Sequence, residues 1–117
     1  MKYINLIAAF SMILSLSSCA TKQIKGEDDL IKFAKSNCFF WYFKSQGIDT
    51  TEIRKVTTGV VEMSTYSADK FQKVAFLVKG YSPDVSTKNN VNKELSKCFT
   101  LGTDKDFISK LHAISEL

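Results

Sequence analysis

The sequence predicts a small all-α bundle of about five helices stapled by one disulfide. Three observations lead there. Apolar residues recur at helical spacing in five successive segments, each bounded by helix-start or helix-stop residues. Nothing beyond residue 18 alternates at period two, and there is no internal repeat. Two cysteines, Cys38 and Cys98, fall on the inward stripes of separate segments, where an even pair bonds in an oxidising compartment. The 117 residues are enough for one domain and too few for two.

Residues 1–18 are expected to be an export signal. Lys2 precedes an apolar run from Ile4 to Leu16, well short of the roughly 20 residues a membrane-spanning helix needs. Leu16-Ser17-Ser18-Cys19 resembles a bacterial lipobox, which makes Cys19 the expected lipidation site; the alternative is ordinary cleavage after Ala20. A lipidated N-terminus would tether the protein to a membrane surface without any spanning segment. Residues 19–27 then read as a polar tether and 28–117 as the helical domain.

The acids Glu27, Asp28 and Asp29 suit the positive N-terminal end of the first helix, and Gly47 ends it. Leu30, Ile31, Ala34, Cys38, Trp41 and Tyr42 fall within about 120° on its inner stripe. "CFFWYF", residues 38–43, is too rich for one stripe: Phe39 and Phe43 lie on the opposite side beside Lys32 and Ser36, with Phe33 and Phe40 at the edges. Such a helix needs cover on more than one side. Either it runs through the middle of the bundle or its far side meets another chain.

Asp49-Thr50-Thr51-Glu52 has the pattern of a capping box for the second helix, with Ile53, Val56, Thr57, Val60, Val61 and Ser64 as its inner stripe. Ser64 to Tyr66 breaks it, and Ser67 is the expected cap of a third helix reaching Gly80. On that helix Phe71, Val74, Ala75 and Val78 face inward and Phe76 outward. Tyr81 to Asn90 holds the only proline and a run of turn formers, so it is the main loop. A fourth helix carries Val91, Leu95, Cys98 and Phe99 on one face and stops at Gly102. Thr103 to Asp106 opens a fifth with Phe107, Ile108, Leu111 and Ile114. A Cys38–Cys98 bond would close a loop of about 60 residues, contributing about 4 kcal/mol in the chain-entropy account. The alternative is two separate buried thiols.

The formal net charge is +4, and Lys2 within the signal accounts for one of those charges. The remaining bases are interleaved with acids, without the stripe that grips nucleic acid, so no nucleic-acid partner is expected. No enzyme is expected either, and no cofactor or metal. His112 is the single histidine, on the polar flank of the last helix. The expected pairing would leave the cysteines no thiolate, and no phosphate loop, nucleophile elbow or zinc-ligand cluster occurs.

"SNCFFWYF", "TTGVVEMSTY", "FQKVAFLVKGY" and "KELSKCFTL", spread between Leu30 and Ile114, resemble the immunity proteins that neutralise type VI secretion amidase effectors of the fourth amidase group. The resemblance implies a periplasmic all-helical homodimer with a matching disulfide at Cys38 and Cys98. It also implies a partner, an amidase that cleaves peptidoglycan peptide bonds with a Cys–His pair and is blocked by occlusion of its groove. Carried onto this chain, the candidate plug is Tyr81, Ser82, Pro83, Asp84, Val85, Ser86, Thr87, Lys88, Asn89 and Asn90; its alternative is an ordinary helix connection. Phe39, Phe43 and Phe76 are the candidate dimer surface; their alternative is burial under a neighbouring helix. From a different class, Cys19 alone would suit a lipid-anchored envelope structural or assembly protein with no inhibitory role.

Overall fold

The computed structural model describes residues 27–85 and 90–117, which form five helices and no strand. They are α1 (Glu27–Ser45), α2 (Thr51–Met63), α3 (Ala68–Gly80), α4 (Lys93–Thr100) and α5 (Lys105–Ser115). The expected signal, the tether up to residue 26 with Cys19, and Ser86, Thr87, Lys88 and Asn89 lie outside the described residues.

The aromatic crowding on α1 is resolved by position. α1 packs against each of the other four helices, and α3 also packs against α5. The core is built from Leu30, Phe33, Ala34 and Cys38 of α1, Phe71, Val74 and Val78 of α3, and Cys98, Leu101, Phe107 and Leu111 of the C-terminal pair. Each large apolar side chain buried this way contributes about 1.5–3 kcal/mol. Phe33 and Phe71 meet with ring centroids 5.0 Å apart, joining α1 to α3 at the centre. Cys38 and Cys98 are disulfide-bonded with their Cα atoms 5.5 Å apart, so α4 is fastened covalently to α1.

Local chemistry accounts for most of the helix ends. Gly47 has φ of +70° and turns the chain out of α1, with the Ile48 amide donating back to the Phe43 carbonyl at 2.9 Å. Asn92 caps α4 by accepting from the Leu95 amide at 3.0 Å, and Asp104 caps α5 by accepting from the Phe107 amide at 3.0 Å. The expected capping box on α2 does not form. α2 begins at Thr51, one residue too late for it, so Asp49 Oδ1 accepts from the Thr51 amide and hydroxyl at 2.9 and 2.7 Å, while Glu52 pairs with Lys55 at 2.7 Å. Ser67 holds the N-cap position of α3 but makes no side-chain cap bond.

The stripes shift in four places. Trp41, placed inward by periodicity, is 47% exposed, because the space opposite it is an open groove. Phe33, assigned to an edge, is core, and Ser36 is buried on a helix covered from several sides, its hydroxyl donating to the Phe33 carbonyl at 3.0 Å. Val56 is exposed because α2 packs mainly along α1 and buries no residue completely; Val60 and Val61 make its half-buried seam. Phe99 is 68% exposed and Val91 precedes α4, so the inward side of that two-turn helix is Cys98 followed by Leu101.

Candidate functional site

Among the described residues no group of His, Cys, Asp and Glu could hold a metal ion, and none of the helices is long and apolar enough to cross a membrane. Cys38 and Cys98 share a bond and offer no thiolate. The His112 side chain is half exposed, with Nε2 3.8 Å from Glu116. What the described surface offers is a set of shallow depressions and uncovered aromatic rings.

One groove, of about 360 Å³, opens between the C-terminal half of α1, the end of α3 and the start of α4. Trp41, Tyr42 and Val78 give it apolar walls beside Cys38, and Lys79, Lys97 and Glu94 carry charge at it. Lys44 lies over the Trp41 ring, its Nζ 5.0 Å from the centroid, a cation–π contact. The periodicity of α1 places Trp41 and Tyr42 on one side of the helix; that this side would be open could not be read from it.

A second depression, of about 390 Å³, lies where the chain leaves α3. Phe76, Tyr81, Ser82 and Pro83 border it with Asp104, Asp106 and Lys110 of the last helix and its cap. Tyr81 is the anchor here. Its hydroxyl donates to Asp104 Oδ2 at 2.6 Å, and its ring meets Phe107 at 4.9 Å. Burial and the Asp104 bond push the Tyr81 phenol above its ordinary pKa, while that bond and the Phe107 amide hold Asp104 below the usual carboxylate value. The expected plug loop is thus fastened at its first residue. Ser82 and Asp84 are exposed, Pro83 and Val85 half-buried, and Asn90 is exposed on the far side of residues 86–89, which lie outside the described residues.

The three phenylalanines expected at a dimer surface do not gather into one cluster. Phe39 and Phe43 stack on α1 with centroids 6.1 Å apart, both half-buried, and Phe99 of α4 meets Phe39 edge-on at 5.4 Å. Phe76, 65% exposed, stands on α3 beside the second depression. Phe40, the remaining member of the aromatic run, lies under the Arg54 guanidinium of α2 at 5.6 Å.

No family model matches the sequence, and no curated protein or solved structure matches it.

Proposed function

We propose that this chain is a periplasmic immunity protein that binds a peptidoglycan amidase effector of the type VI secretion system and blocks its active-site groove. The observation that supports the reading is the Cys38–Cys98 bond between an aromatic-rich first helix and α4, in a chain with an export-type N-terminus and the family-like segments described above. A cross-linked bundle keeps its shape in an oxidising compartment and on contact with a hydrolase. Inhibition is then steric. The loop from Tyr81 to Asn90 enters a groove shaped for a polar peptide substrate, and Tyr81, held by Asp104 and Phe107, fixes where that loop leaves the bundle.

The test is direct inhibition. The purified protein, added to an amidase encoded beside its gene, is expected to stop peptidoglycan hydrolysis at near-stoichiometric ratio. Full hydrolysis in the presence of excess protein would reject the reading. Leu16-Ser17-Ser18-Cys19 favours a second reading, a lipid-anchored assembly protein of the envelope. A diacylated Cys19 in the mass spectrum, together with failure to bind any such amidase, is the result that would select it.

A further inference from the structure

We infer that the groove beside Trp41 is a docking site for a partner-protein segment that presents an apolar side chain next to a carboxylate. Its volume, about 360 Å³, is at the lower end of pockets that enclose a ligand and suits one inserted side chain with its backbone. The walls carry the apolar part of the specificity. Trp41 and Tyr42 are of the residue types that anchor interfaces, and Trp41 keeps nearly half its surface open although it belongs to the helix at the centre of the bundle.

The charge comes from Lys79 and Lys97 against Glu94, with Lys44 adding a further cation over Trp41. On the described surface some lysines are paired within their own helix, and others, Lys35, Lys93 and Lys105 as well as those at the groove, are not. Lys32, Lys55, Lys73 and Lys110 each pair with an acid three or four residues earlier on the same helix. Lys79 and Lys97 have no ion pair of that kind among the described residues, even though Glu94 stands three residues before Lys97. A carboxylate entering the groove would meet positive charge that the fold leaves uncompensated. The assignment concerns the chemistry of the segment, whichever protein supplies it, and so stands separately from the amidase reading.

Trp41 is the single tryptophan of the chain, so its fluorescence reports occupancy without a label. The full-length protein is titrated with the blocked tetrapeptide Gly-Leu-Asp-Gly and with its isosteric neutral counterpart Gly-Leu-Asn-Gly. For a fragment of this size a Kd on the order of 1 mM is expected for the acidic peptide. The neutral peptide is expected to bind about fivefold or more weakly, and added salt to narrow that gap. Lys79→Gln combined with Lys97→Gln is expected to abolish the preference while leaving the circular dichroism spectrum unchanged. Equal binding of the two peptides, no saturable response to either, or an undiminished preference in the double variant overturns the inference. An emission shift that tracks protein concentration with no peptide present also overturns it, since the occupant would then be a second copy of the chain.

Discussion

Tyr81 and Asp104 hold the exit of α3 to the start of α5 through one hydrogen bond of 2.6 Å. The same carboxylate takes the Phe107 amide on its other oxygen at 3.0 Å, so one side chain both caps a helix and ties down the loop that follows α3.

That arrangement makes stability depend on pH in two windows. Asp104 has a folded pKa below its unfolded one, chiefly through the Tyr81 bond and then the Phe107 amide. Its contribution is present above the unfolded value of about 3.9 and is lost as pH falls through the folded value. Tyr81 has a folded pKa raised by burial first and by Asp104 second. Its contribution is full below about pH 10 and is lost as pH rises through the folded value. Tyr81→Phe is expected to lower Tm by a few degrees at neutral pH and to flatten both limbs of a Tm-against-pH curve. Curves for the two proteins that run parallel throughout would exclude the coupling.

Cys98→Ser is expected to cost about 2–5 kcal/mol, the range for removing a native disulfide from a small domain. The bond joins positions 60 residues apart and lies in the core, so the substitution also leaves a polar atom there. Chemical denaturation with and without reductant measures the effect; identical midpoints would contradict it.

Leu101 is completely buried although it follows the last residue of α4. Leu101→Ala is expected to cost about 2–5 kcal/mol by cavity formation. Phe76→Ser, at a ring 65% exposed, is expected to change stability by less than about 0.5 kcal/mol. Urea midpoints of the two variants should separate clearly.

Two glycines give a matched pair. Gly47→Ala places a side chain at φ of +70° and is expected to cost about 1–2 kcal/mol. At Gly102 an added Cβ would meet only the Lys35 side chain, at 2.9 Å from Nζ and 3.0 Å from Cε. That is the far end of a flexible chain, so Gly102→Ala is expected to be close to neutral. Thermal melts rank the two.

If the protein pairs with itself as the family resemblance implies, the half-buried Phe39–Phe43 stack with the exposed Phe99 ring is one aromatic surface on α1 and α4, apart from the groove beside Trp41. Phe43→Lys is then expected to shift a dimer to monomer in sedimentation velocity while preserving helicity. An unchanged profile would remove this face from consideration.

The five helices were legible because each carries its own evidence in adjacent residues. Asp104 caps α5, Gly47 turns the chain out of α1, and the apolar positions of α3 repeat at helical spacing. The disulfide was legible because Cys38 and Cys98 both lie on inward stripes. The groove was not. Trp41 and Phe99 read as inward-facing, and Leu101 was not assigned to the inward stripe, although as the αR cap of α4 it stands three residues after Cys98 and shares its side. The bond from Tyr81 to Asp104 spans 23 residues and left no mark in either local pattern.

By itself the sequence determined the helices, their approximate ends and the cross-link, since propensity, capping and cysteine pairing act through neighbouring residues or through two unmistakable positions. Only the tertiary structure decided which apolar side chains are covered. Helical periodicity sets the direction in which a side chain leaves its own axis, and burial depends on whether another helix stands in that direction. Phe33 has Phe71 opposite it, 5.0 Å away between ring centroids; Trp41 has an open groove.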